Sequence, residues 1–490
     1  MSDNKGVLMI YTGGTIGSMP KDPNDETSPQ VVVSEKTFKE LTPQITSIGY
    51  RVDFMATREV LDSCNVGPAQ WQELADLIGK HYNDYEGFVI LHGTDTMVYS
   101  ASALSFMLAN LSKPVVFTGA QRAHLFQHRN DALQNIITAI QMANPGATGI
   151  PLIPEVMILF GQDLLRGNRA RKKDANGYAA YETPRYPSLA KIGANIDIDE
   201  RRIRSASNKT FFVRRNLETS VIDFNIFPGV AQNAVAEKLL QDENLKGVVV
   251  RAFGAGNIPT FPDFLQHFDD ASKRGVLMID VTQCTQGRVE LGLYETSNLL
   301  LAIGMVSGTD LTPEAALVKL MVALGDEDIR ENPAALREFM QTDQAGEQST
   351  TIQEVSYGTK AGSLTSAAAR FRFAPDRVLV GDWTGGDLDS VQFRLYDAEV
   401  TATDEGTPIE VEIYANLSSS ENPGGPGTPQ YSGSARRAKT GGKTILSFDV
   451  TDATRRLFSP NQRAPFTLVL KSPSGGLSWG RAELALFIKT

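Results

Sequence analysis

Short apolar runs and stretches of helical periodicity alternate through the first two hundred residues. Val7 to Tyr11, Phe88 to Leu91 and Val115 to Phe117 are continuous β-branched or apolar runs, each followed by a glycine-containing turn, the pattern of strands buried on both faces. Between them, Trp71 to Tyr82, Tyr99 to Asn110 and Asp131 to Met142 carry apolar residues at helical spacing. This alternation predicts βαβ units and therefore a doubly wound parallel sheet covered by helices. Near residue 227 the pattern restarts, with strands at Gly247 to Arg251 and Gly275 to Asp280. A helix follows from Pro313, with Thr312 as its N-cap and Pro in the first position, giving a second, smaller α/β domain. Beyond 341 the helical periodicity stops, and Gln341 to Thr350 is small and polar, as linkers are. Then come short runs at Arg377–Val380, Val391–Tyr396, Ile409–Tyr414, Thr444–Val450, Phe466–Leu470 and Ala482–Ile488, separated by turn clusters such as Asn422–Gly427. They predict an appended all-β sandwich or jelly roll. The expected divisions are an α/β domain over 1–205, a linker over 206–226, a second α/β domain over 227–341, a linker over 342–374 and a β-sandwich over 375–490. Its aromatic residues Trp383, Trp479, Tyr414 and Tyr431 read as core before they read as a ligand platform.

The length of 490 residues agrees with about three domains at ~150 residues each. Acidic side chains outnumber basic ones by 57 to 47, for a net charge of -10, which removes the broad basic footprint of a general nucleic-acid binder. No apolar run approaches the ~20 residues that span a bilayer, and Met1 to Lys5 leads straight into a strand without the features of a leader peptide. A cytoplasmic protein without nucleic-acid or membrane partners is the expectation. Two cysteines, Cys64 and Cys284, are too few for a disulfide framework or a thiolate metal cage. Other chemical motifs fail on context. His124 and His128 lack an H-E-x-x-H setting, Gly254-Ala-Gly256 has Pro259 where a dinucleotide fingerprint needs its third glycine, and no Walker A sequence occurs. Gly476 to Gly480 matches a nucleophile elbow, but no histidine follows His267; Ser188 to Lys191 matches S-x-x-K without its companion motifs. No metal and no cofactor is expected.

What remains is a pair of hydroxyl-bearing turns. The first strand ends in Thr12-Gly-Gly-Thr-Ile-Gly17 and a later one in His92-Gly-Thr-Asp-Thr96. Ligands of parallel sheets bind at the carboxyl ends of strands, and glycine there lets backbone N–H groups approach a substrate closely. Thr12, Thr15 and Thr94 thus sit where chemistry is expected, and two such turns on one sheet edge suggest nucleophilic catalysis.

These turns, together with Asp62-Ser63, Lys113 to Gly119, Arg166-Gly-Asn-Arg169 with Lys172, and Gly254-Ala-Gly-Asn257, resemble the bacterial-type L-asparaginases and glutaminases, most closely the type I cytoplasmic enzymes, over residues 6 to 340. The resemblance implies a cofactor-free amidohydrolase converting L-asparagine, or L-glutamine, to the acid and ammonia. It implies Thr15 as the nucleophile that forms an acyl-enzyme, and Thr94, Asp95 and Lys172 as the second catalytic group. Asp95 is similar to the residue that binds the substrate α-ammonium, and Ser63 to the one that holds its α-carboxylate. Gly14, Asp62 and Thr94 complete the substrate pocket, and Asn257 resembles the residue contributed by a neighbouring protomer of a homodimer or homotetramer. The family carries a tyrosine on the loop after its first motif; here no tyrosine occurs between Tyr11 and Tyr50, leaving Thr27 and Ser28, or Thr94 and Lys172 acting directly on Thr15, as candidates for its role. Cys284 and Arg251 resemble positions near the allosteric pocket of type I enzymes, where Arg171 stands in place of a smaller residue and crowds it. The alternatives are a glutaminase, the asparaginase-like subunit of a tRNA-dependent amidotransferase, or, in a different class, an amino-acid sensor that kept the site and lost turnover.

Overall fold

A computed structural model describes residues 5–22, 25, 28, 30–34, 36, 45, 49–122, 131–291 and 295–349, with the backbone alone of strands between 351 and 488. Thr27, His124, His128, Trp383 and the strand expected at Arg377–Val380 lie outside the described residues.

Five parallel strands form the centre of the first unit: β1 (Val7–Gly13), β2 (Val52–Leu61), β3 (Gly87–Leu91), β4 (Val115–Thr118) and β5 (Val156–Phe160). Three more, β6 (Asp163–Arg166), β7 (Ala190–Ile192) and β8 (Ile196–Ile198), extend the sheet antiparallel, giving the order β2-β1-β3-β4-β5-β6-β7-β8. A purely parallel sheet was the expectation. The antiparallel edge follows from the turn at Gly161-Gln162, which is far too short for the crossover that a parallel neighbour of β5 requires. Side chains of β1 alternate as the pleat demands: Leu8 and Ile10 pack with α1 (Pro68–His81) and α2 (Met97–Met107), while Val7, Met9 and Tyr11 pack on the opposite face with α3 (Ala132–Ala143). These three helices occupy the predicted segments, with α1 starting earlier because Pro68 fits the first helical position and the Gln70 side chain accepts from the Gly67 amide.

The second unit is a four-stranded parallel sheet, β9 (Val221–Asn225), β10 (Gly247–Ala252), β11 (Leu277–Thr282) and β12 (Val306–Ser307), in that order. It carries α4 (Ala234–Gln241), α5 (Pro262–Lys273), α6 (Glu295–Ile303), α7 (Pro313–Gly325) and α8 (Pro333–Gln341). Thr312 caps α7 as its sequence predicts, its hydroxyl accepting from the Ala315 amide at 3.2 Å. Nearly every residue of α7 is buried, because the helix lies between the units and joins both to one apolar core.

Two expected linkers are corrected. Within 206–226, Val221–Asn225 is the edge strand of the second sheet, and its half-exposed alternation hid it from a reading that looked for buried runs. Within 342–374, residues 343–349 are packed: Glu347 and Gln348 have no exposure at all. Past 350 the described backbone is in strands that pair antiparallel, such as Leu388–Tyr396 between Arg481–Ile488 and Leu446–Asp449. No helix among the described residues is long and apolar enough to cross a membrane.

Candidate active site

The order β2-β1-β3-β4-β5 reverses chain direction of travel between β1 and β3, and in open α/β sheets the ligand crevice opens at that switch point, beyond the carboxyl ends of the strands. Both hydroxyl-bearing turns are there. Gly14 has φ +81°, and a Cβ built on it would stand 2.2 Å from the Gly93 Cα; a Cβ on Gly93 would stand 2.5 Å from Ser63 Oγ. Only glycine lets the turns after β1, β2 and β3 touch in this way. Thr15 and Thr94, each one residue past a contacting glycine, therefore flank one small region.

Thr15 opens a short 3-10 turn, Thr15–Gly17, is half-buried, and its hydroxyl has no hydrogen-bond partner among the described residues. Its neighbour Thr12 is different: buried, it donates to the Leu91 carbonyl at 2.9 Å and ties β1 to β3, so it is structural. The chain leaves Gly17 as a hairpin, Ser18–Pro20 paired with Gln30–Val32, whose base is held by Tyr11 donating to the carbonyls of Gly17 at 3.2 Å and Val33 at 3.1 Å. Burial pushes the Tyr11 phenol well above its ordinary pKa, keeping it a donor. In the hairpin, Ser28 Oγ accepts from the Asp22 amide at 3.0 Å.

Lys172 lies on the two-residue strand Arg171–Lys172, paired with Tyr181–Glu182. Its Nζ donates to Thr94 Oγ1 at 2.8 Å and to Asp95 Oδ1 at 2.6 Å. The lysine side chain is 19% exposed and the carboxylate 62%, so the pair faces an open crevice with its cationic end shielded. Lys173 points elsewhere, 3.6 Å from Glu182. Neither Thr94 nor Asp95 caps α2. Thr96 precedes that helix, and its hydroxyl donates instead to the Ser63 carbonyl at 2.6 Å. Ser63 Oγ accepts from the Asp95 amide at 3.2 Å, and Asp62 accepts from the Cys64 amide, so the Asp62-Ser63 turn is fastened to the Thr94-Asp95 turn. Asn257 sits apart, on the turn that follows β10 in the second sheet, where Gly256 at φ +107° covers the fully buried Asp280 carboxyl. Burial alone raises the Asp280 pKa well above the usual carboxylate range.

Two side chains that sequence reasoning passed over hold this arrangement. Tyr181 donates to the Thr94 carbonyl at 2.5 Å. His92, completely buried, has Nδ1 2.7 Å from the Gly93 carbonyl and Nε2 2.9 Å from Ser100 Oγ, which accepts from Trp71 Nε1. Because a carbonyl can only accept, Nδ1 carries the proton and Ser100 donates to Nε2. A lone histidine gives no sequence signal, yet this chain of bonds fixes the peptide leading into Thr94. Desolvation lowers the His92 pKa to about 4. Between pH 6.5 and 4 the unfolded chain takes up a proton that the folded chain refuses, so stability falls as pH drops through this window, by roughly 3 kcal/mol from the shift. Urea unfolding at a series of pH values should show that fall in the native protein and lose it in His92→Gln.

Toward the second unit, Arg251 forms a two-pronged ion pair with Asp223, Arg171 pairs with Glu314 at 3.1 Å, and Arg185 donates to the Thr282 and Cys284 carbonyls. Arg251 and Arg171 are thus each paired with a carboxylate of the second unit.

The sequence model described as Asparaginase, N-terminal matches residues 6–204, and that of the Glutaminase/Asparaginase C-terminal domain matches 221–340. L-asparaginase 1 of Escherichia coli (strain K12) is 36% identical over 332 residues, covering 66% of this chain and 93% of that protein. The 60 kDa lysophospholipase of Mus musculus is also 36% identical, over 344 residues, 66% of this chain, but this chain spans only 59% of that protein's length. The crystal structure of L-asparaginase I from Vibrio cholerae superposes with a TM-score of 0.62 at 34% identity, over 70% of this chain and 99% of that one. Matched by both domain models and sharing its fold with this solved structure, the chain belongs to the asparaginase family.

Proposed function

We propose that this protein hydrolyses L-asparagine to L-aspartate and ammonia, with Thr15 as nucleophile and an acyl-enzyme intermediate. The observation that carries the reading is Lys172 Nζ bridging Thr94 Oγ1 and Asp95 Oδ1 beside the turn that bears Thr15. Asp95 takes the substrate α-ammonium and Ser63 the α-carboxylate, within a pocket completed by Gly14, Asp62 and a partner protomer's copy of Asn257, in a homodimer or homotetramer. The substrate ammonium competes with Lys172 for Asp95, and Lys172 gives up one proton to solvent as its pairing is lost, so that its Nζ can receive the next proton. Ser28 is already engaged by the Asp22 amide, so the Thr15 proton passes to the Thr94 and Lys172 pair. The Thr15 oxygen bonds to the amide carbon, and the negative charge that develops on the carbonyl oxygen is met by backbone N–H groups of the glycine turns. The C–N bond breaks, and the returned proton leaves with ammonia. Water then cleaves the ester by the same relay, restoring the Thr15 hydroxyl and releasing aspartate. The protein is cytoplasmic, and the strands after 350 form an appended all-β unit.

Ammonia release measured with asparagine and glutamine tests this reading. A single methylene distinguishes the substrates, worth about 1 to 3 kcal/mol of fit, so kcat/KM should favour asparagine by roughly 10- to 200-fold. Equal or higher values with glutamine would make it a glutaminase, and aspartate binding without ammonia release would make it a sensor. The same assay carries a second expectation. Arg251 is already paired with Asp223 through Nε and Nη2, so the rate should rise hyperbolically with asparagine; a sigmoidal curve would show a second asparagine site.

A further inference from the structure

The Arg166-Gly-Asn-Arg169 turn makes no contact with the reacting groups, yet it leads within three residues to Lys172. Arg166 is held by Glu155 at 2.5 Å, and several of the turn's other polar atoms reach residues 343–349. Asn168 Nδ2 donates to the Ala345 carbonyl at 2.9 Å, and the Gly346 carbonyl receives Arg169 Nε at 2.7 Å and Arg166 Nη1 at 3.3 Å. The segment joins the two units: Asp343 at its start pairs with Arg204 of the first, and its end is anchored to the second. Glu347 pairs with Lys319 at 2.5 Å, and the Ser349 amide and hydroxyl each donate to Asp310 at 2.7 Å; Asp310 also takes Arg169 Nη1 at 2.6 Å. On its other side the turn is wedged against α2, the helix that starts just after Thr94 and Asp95: a Cβ on Gly167 would come within 2.9 Å of Ala101 Cβ.

We infer that residues 343–349 are a strap that presses the Arg166–Arg169 turn against α2 and so positions Lys172 for proton transfer, making Gly346, Asn168 and Arg169 positioning residues for the reaction. This rests on the reading of Lys172 as the proton-transfer group. Buried ionic networks add little stability compared with apolar packing of the same volume, so their concentration here is better explained by the geometry they impose. That geometry is unforgiving: Gly346 has φ +82°, and a Cβ on it would lie 2.6 Å from Arg166 Nε. A misplacement of about 1 Å at a catalytic group costs as much as 10²-fold in rate.

The test uses the full chain with asparagine as substrate, at a temperature where near-UV circular dichroism shows each variant fully folded. Gly346→Ala and the milder Asn168→Ala should lower kcat at least tenfold while KM stays within about threefold. Leu336→Ala, a cavity in α8 that removes none of the strap's hydrogen bonds, should lower Tm and keep the native kcat. The inference is overturned if both strap variants keep the native kcat, or if Leu336→Ala loses as much kcat as they do. Lys172→Met separates the two ideas. If it remains active, the catalytic reading itself fails; if it is inactive while the strap variants are fully active, only the strap fails.

Discussion

Thr15→Ala should reduce ammonia release from L-asparagine by about 10³-fold or more, and Lys172→Met by about 10²- to 10⁴-fold, without unfolding the protein. The size follows from what each change removes. Without the Thr15 oxygen no ester can form, and loss of a nucleophile in acyl transfer leaves only binding and oxyanion stabilisation. Without Lys172 the relay through Thr94 has no base, and general acid–base catalysis of this kind is worth about 10² to 10⁴ in rate. Thr15 is half-buried and makes no hydrogen bond to a described residue, so its truncation should change stability by less than about 0.5 kcal/mol. Lys172→Met keeps the apolar stem and removes only the ammonium that bonds to Thr94 and Asp95. Steady-state assays beside thermal melts check both points. Full turnover in Thr15→Ala would remove the nucleophile from the scheme.

Lys319→Met and Glu347→Gln should each cost about 3 to 5 kcal/mol of folding stability, seen as a lower urea midpoint at unchanged slope. Both side chains have no exposure, and their charged ends are 2.5 Å apart. Burial opposes ionisation of each, drawing the lysine pKa down and the glutamate pKa up, and their mutual attraction holds the charged pair in place. Removing one partner strands the other's charge in the interior. The Glu347 carboxylate would keep the Gln344 and Ala345 amides, and the Lys319 ammonium would keep the Met340 and Thr342 carbonyls and the attraction of Asp343, but neither would keep its ion-pair partner. The double variant Lys319→Met with Glu347→Gln leaves no buried charge at the pair and should recover most of the loss. Additive losses in the double variant would show that the pair does not interact.

The parts of this protein that sequence alone made legible are those with local signals. Val7–Tyr11 and Phe88–Leu91 are strands because continuous apolar runs between turns admit little else, and the glycines and hydroxyls that follow them mark a sheet edge where a ligand can approach. Asn257 was legible only as a resemblance, since its turn belongs to the other sheet. Val221–Asn225 escaped because an edge strand half in water lacks a buried run. Residues 343–349 escaped for a deeper reason. Small polar composition reads as linker, and what buries Glu347 and Ser349 is charge from Lys319 and Asp310, distant in sequence and visible to no local window. His92 was likewise silent, because its value lies in bonds to Ser100 and Trp71 that only the fold assembles.

The central claim is a covalent bond between Thr15 and the substrate. Acid quenching of the native protein during turnover of L-asparagine, followed by peptide mass spectrometry, tests it most directly, since the ester exists between loss of ammonia and attack of water. The account predicts one aspartyl group on the peptide bearing Thr15 and none when Thr15 is replaced by alanine. An aspartyl group carried by a different residue, with the Thr15 peptide unmodified, would contradict it.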